Sequence, residues 1–172
     1  MDLLLESKKA NKAAYVDLVD KYFPVFYKAA KIYLYDEEDI AKVLQTDLEK
    51  TYSEIVNCKT EKSFVMWALK YIIPDSMALQ KRNVKQKKKP GNTRALNDNP
   101  FTINDLLKTM PDEFKPVGFL YYYVGLLPEE ISKILKISDS TIINVLESHR
   151  VEFYELVKHK EAEMYNERVK KQ

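Results

Sequence analysis

The chain has 172 residues, 45% of them hydrophobic and 31% charged, which is enough apolar content for one ordinary domain or two small ones and excludes a disordered chain. Its formal net charge of +2 assigns no partner by itself. A single cysteine, Cys58, excludes an internal disulfide, and neither a secretory leader nor a bilayer-spanning run is readable, so a cytoplasmic protein without membrane insertion is expected.

Only three glycines occur, and long stretches run without a breaker, which favours helices and predicts an all-α fold. Residues 1–12 read as an N-terminal tail, and a first helical domain is expected over 13–84. Tyr15, Leu18, Val19, Tyr22, Phe26, Ala29, Ala30 and Tyr33 recur there at three- and four-residue steps. Pro24 predicts a kink or break, because proline lacks the amide donor and crowds the preceding turn. The acidic start Asp36, Glu37, Glu38, Asp39 then opens an amphipathic stretch through Ile40, Val43, Leu44, Leu48, Tyr52 and Ile55, with carboxylates where the helix dipole favours them. Residues 57–63 are polar and read as a loop, after which Phe64, Trp67, Ala68, Tyr71 and Ile72 restore helical spacing and Pro74 is expected to disturb it.

From position 81 to 94 stand seven basic residues and no acid: Lys81, Arg82, Lys85, Lys87, Lys88, Lys89 and Arg94. Such a run attracts a polyanion over roughly 8–10 Å, or is simply a solvated connector. Two clusters of turn residues follow, at 90–93 and 97–100, so 85–104 reads as a flexible basic linker.

A second helical domain is expected over 105–160. Its apolar run through Val117, Phe119, Leu120, Tyr122 and Tyr123 should end at Gly125, Pro128 suits the first turn of a short helix, and Ser138 can cap the next one from Asp139. Two helices joined by so short a turn form a helix-turn-helix. Ile131, Leu135, Ile137, Ile142 and Leu146 should pack them together with Ile137 plugging the turn, while Ser140, Ile143, Asn144, Glu147 and Ser148 face outward. Asn reads adenine by two hydrogen bonds in the major groove, Ser and Thr serve bases or phosphates, and an apolar side chain meets a thymine methyl. Residues 161–172 read as a frayed, charged C-terminal tail.

The string from Leu126, Leu127, Pro128, Glu129, Glu130 and Ile131 through Ile137, Ser138, Thr141, Ile142 and Leu146 resembles region 4 of bacterial sigma factors. Asp36 to Asp39, Leu44, Gln45 and Tyr52 resemble the acidic polymerase-binding helix of that family's region 2, and Ser63, Phe64 and Trp67 the start of its promoter-melting helix. Order and separation are those of the small extracytoplasmic-function group. The resemblance implies core RNA polymerase and promoter DNA as partners, with a possible anti-sigma protein, no cofactor and no small-molecule substrate. It implies polymerase contacts at Asp39, Gln45, Asp47 and Glu49. Single-stranded minus-ten DNA would meet Asn57, Lys59, Thr60, Lys62, Ser63, Trp67, Lys70, Lys81 and Arg82. Duplex minus-thirty-five DNA would meet Ser140, Thr141, Ile143, Asn144, Glu147 and Arg150.

The chain also departs from that pattern. Ile143, Val145, Glu147 and Ser148 stand where basic or histidine side chains are common, Lys136 replaces a turn glycine, Ala41 and Lys42 replace acids, and Pro74 replaces an asparagine. An ordinary helix-turn-helix repressor, and a polymerase-binding protein that has lost promoter reading, are the two rival expectations. An enzyme is not expected: His149 and His159 lack ligand or triad partners, and no glycine-rich phosphate loop occurs.

Overall fold

The computed structural model describes residues 2–86 and 103–170, without the side chains of 104 and 163–170. The described residues form helices and turns with no strand, and the chain divides into two compact units.

The first unit holds α1 (Leu3–Lys8), α2 (Lys12–Lys31), α3 (Glu37–Ser53), a 3-10 turn (Ile55–Asn57) and α4 (Glu61–Lys85). Side-chain caps start all four helices: Asp2 accepts from Leu5, Asn11 from Ala14, and Asp36 from Glu38 and Asp39. Thr60 and Ser63 cap α4 reciprocally, each side chain accepting from the other's amide. Residues 61–63 therefore belong to the first turn of α4, and the expected 57–63 loop shrinks to its first half.

Leu18, Phe26, Ala29, Ala30, Phe64, Ala68, Leu69 and Ile72 are fully buried where α2, α3 and α4 converge. Phe64 sits edge-on to Tyr15 and Phe26 at 5.9 and 5.8 Å, and the Tyr15 hydroxyl donates to the Leu48 carbonyl at 2.6 Å. Pro24 and Pro74 each lie inside a continuous helix, so of the kink or break expected at Pro24 the break does not occur. Each costs one amide bond, but buried residues on both sides, Leu18 and Phe26 for the first, Ile73 and Ser76 for the second, hold the segment against the core. The expected N-terminal tail is also corrected, because α1 packs on α2 and buries Leu4 and Ser7.

From residue 103 onward the chain forms α5 (Ile103–Thr109), α6 (Phe114–Gly118), which runs into a π-helical turn (Phe119–Tyr123), α7 (Pro128–Leu135) and α8 (Asp139–Lys170). A Cβ at Gly118 would stand 2.5 Å from the Phe114 ring, so the close approach there requires glycine. Gly125, at φ +77°, ends the preceding helical run as expected. Pro128 opens α7, Glu130 accepts from the Leu127 amide, and Ser138 accepts from the Thr141 amide to cap α8.

Lys136 occupies the left-handed region at φ 57°, ψ 39°, a conformation that strains a side-chain-bearing residue. Ile131, Ile134, Ile142 and Leu146 are buried in this hairpin, whereas Ile137 is 37% exposed and does not plug the turn. The C-terminal segment is likewise corrected, since α8 stays helical to Lys170 with neither proline nor glycine to stop it. The linker expected over 85–104 lies almost wholly outside the described residues, as do Lys87, Lys88, Lys89 and Arg94. No described helix is long and apolar enough to cross a membrane.

Candidate nucleic-acid interface

The α8 surface follows from helical periodicity. Ile142 and Leu146 point inward, which turns Ser140, Thr141, Ile143, Asn144, Glu147 and Arg150 outward, and all six are exposed. The Ser138 hydroxyl bonds those of Ser140 and Thr141 at 2.9 and 2.7 Å, so three hydroxyls cluster at the start of this helix. Arg150 is the one cation among the six, and Glu147 opposes it. The face can read base edges but offers little charge to phosphates.

On α3, Gln45 and Glu49 are exposed one turn apart and joined by a 3.3 Å hydrogen bond. They border a groove of about 440 Å³ between α2 and α3, lined by Tyr15, Val16, Val19, Leu48 and Tyr52. Asp39 is half-buried and accepts from the Asn83 amide at 2.7 Å, which ties α3 to the end of α4. Asp47 is fully buried and corrects its expected role as a polymerase contact. Its place was readable in the spacing, since positions 40, 44, 47 and 51 fall on one inward stripe of α3.

One Asp47 oxygen accepts from Lys50 at 2.8 Å, Lys50 reaches Asp75 at 3.0 Å, and the second Asp47 oxygen has no hydrogen-bond partner among the described residues. Burial pushes the Asp47 carboxyl up to about 6, with Asp75 adding to the shift and Lys50 opposing it. An acid held above its unfolded value binds its proton more tightly when folded, so this stabilisation is full below 3.8 and is lost as pH rises through about 6. Asp47→Asn should therefore stabilise the protein by about 1–2 kcal/mol at pH 7.5 and by nothing at pH 3.5. Urea unfolding at the two pH values checks this; equal shifts at both would remove Asp47 as the cause.

The remaining candidates surround the start of α4. Asn57, Lys59, Thr60 and Lys62 are exposed, and Ser63 is half-buried with its hydroxyl tied into the cap. Trp67 is half-buried, its indole N–H donating to Glu54, and Lys70 stands 5.4 Å over its ring. Lys81 and Arg82 are exposed, but at 1.5 Å per residue they lie about 28 Å along α4 from Lys62 and do not join that cluster. Local spacing puts Tyr71 on one face with Trp67 but gave no sign of Glu54, whose carboxylate the two share. No group of His, Cys, Asp and Glu among the described residues is arranged to hold a metal ion.

No family model matches the sequence, and no curated protein matches it. Among solved structures, that of CnrH in complex with the cytosolic domain of CnrY is similar, with a TM-score of 0.63 at 15% identity, covering 91% of this chain and 96% of that one. At that identity the likeness defines a fold, a small helical unit followed by a helix-turn-helix unit, across nearly the whole chain.

Proposed function

We propose that this chain is a sigma factor of the extracytoplasmic-function type, which binds core RNA polymerase and directs it to promoter DNA. The observation that carries the reading is the fold likeness to CnrH, an extracytoplasmic-function sigma factor, over 91% of the chain. The resemblance to regions 2 and 4 rests on the motif residues themselves and supports the same class. In this reading the exposed Gln45 and Glu49 face the polymerase, the start of α4 meets the opened strand, and the outer face of α8 reads duplex. The run at 81–94 adds unspecific attraction to nucleic acid. CnrH is held by the cytosolic domain of CnrY in its solved complex, and we extend to this chain a protein partner that regulates it.

A second reading, polymerase binding without promoter reading, draws on one feature: the α8 face has Glu147 and a single cation. Transcription reconstituted from the chain, core polymerase and a genomic DNA library separates the two. Initiation at defined sites supports the sigma factor; capture of polymerase without such initiation supports the second reading; binding to DNA alone would leave a repressor.

Asn144 gives the position-specific test. Asn144→Ala should cost about 1–3 kcal/mol at one base pair of the upstream element and little elsewhere. Selection of promoters from a randomised library would show it, and an unchanged preference at every upstream position would remove α8 as the reader.

A further inference from the structure

α8 runs for 32 residues, but its described side chains are packed only in the first part. His149 and Phe153 lie against Phe114, and Phe153 stacks on Tyr122 at 4.7 Å. From Lys158 to Ala162 no residue is buried. A helical stretch without a packed face is marginal in water, because propagation alone barely offsets the loss of chain freedom.

One flank of the packed part is itself uncovered. Tyr122, Arg150, Val151, Phe153, Tyr154 and Val157 line a groove of about 550 Å³, with Val151 68% and Tyr154 56% exposed. Arg150 apart, the lining is aliphatic and aromatic, and contiguous exposed apolar surface of this kind marks a contact with another molecule.

The charge along α8 selects the occupant. Residues 139–157 hold four acids, Asp139, Glu147, Glu152 and Glu155, to one arginine, Arg150, whereas 158–170 hold four cations, Lys158, Lys160, Arg168 and Lys170, to three acids. The acids beside the groove repel a nucleic-acid backbone. Two copies of α8 side by side in the same direction would set acid against acid. Turned antiparallel, the acidic part of each lies along the more basic part of the other, and the same patch serves both copies about a twofold axis. We propose that α8 pairs antiparallel with α8 of a second copy of this chain, the stretch after Val157 covering the Val151 and Tyr154 groove of its partner. Such pairing needs neither polymerase nor DNA, so it goes beyond the sigma-type reading.

Sedimentation equilibrium of the full-length protein at low salt, over concentrations of about 1–100 µM, should show monomer and dimer together. Val151→Glu with Tyr154→Glu should weaken the dimer about thirtyfold or more, since both side chains are exposed in the monomer and central in the pair. Circular dichroism should show the helicity of this variant unchanged. Glu152→Lys with Glu155→Lys makes both parts basic, and Lys158→Glu with Lys160→Glu makes both acidic. Each of these variants should dimerise more weakly than wild type, and the two mixed should pair with each other.

A monomer at every concentration, a dimer that the Val151 and Tyr154 variant leaves intact, or charge variants that dimerise like wild type would each overturn the proposal. Capture of core polymerase is measured alongside on wild type and the Val151 and Tyr154 variant. A monomeric wild type whose capture is lost in that variant gives the groove to polymerase and overturns the pairing. A dimer that captures no polymerase supports the pairing and removes the sigma reading.

Discussion

Replacing Gln45 and Glu49 together with alanine should cut capture of core RNA polymerase about thirtyfold while leaving thermal unfolding nearly in place. Both side chains are exposed on α3 and, among the described residues, bond to each other, so removing them costs the fold little. Polar side chains at an interface centre cost about 2 kcal/mol or more when truncated, and that energy corresponds to about thirtyfold in affinity. Asp39 and Asp47 serve as controls of a different kind. Asp39→Ala would release Asn83, and Asp47→Ala would open a buried site beside Lys50, so loss of binding in either would mix interface with fold. Pull-down by the Gln45/Glu49 double variant decides the matter: capture equal to wild type would move the polymerase contact off this face.

Phe64→Ala should destabilise the first unit by about 3–5 kcal/mol, the largest single effect expected on stability. Phe64 is fully buried and meets Tyr15, Tyr22 and Phe26, so its removal empties the point where α2 and α4 converge. Against a net stability of about 5–15 kcal/mol for a typical domain, such a loss lowers the urea midpoint steeply. The second unit has its own buried rings, Phe114 and Phe119, and should keep its helicity. Circular dichroism during urea unfolding would then show an early transition absent from wild type. A single transition at the wild-type midpoint would mean that the site collapses without cost.

The starts of α3 and α8 were legible because their signals are local. Asp36 and Ser138 each accept from an amide two or three residues away, so the sequence neighbourhood contains the whole interaction. The outward face of α8 was legible for a similar reason: once Ile142 and Leu146 point inward, the 3.6-residue repeat leaves Ser140, Ile143, Asn144 and Glu147 on the other side. The same repeat puts Asp47 inside with Ile40, Leu44 and Thr51, so its spacing and not its charge decides where it lies.

The all-α class, the starts of α3 and α8 and the exposed face of the helix-turn-helix were thus readable from the residues alone, because each depends on positions within one or two turns. Tertiary structure alone decided what joins residues far apart in the chain. Glu54 meets Trp67 and Tyr71, Lys50 bridges Asp47 to Asp75, and Asn83 reaches Asp39, each from a separate helix whose approach no local spacing specifies. It also decided that Pro24 and Pro74 sit inside unbroken helices, because burial on either side of each proline outweighs the one amide bond that it removes.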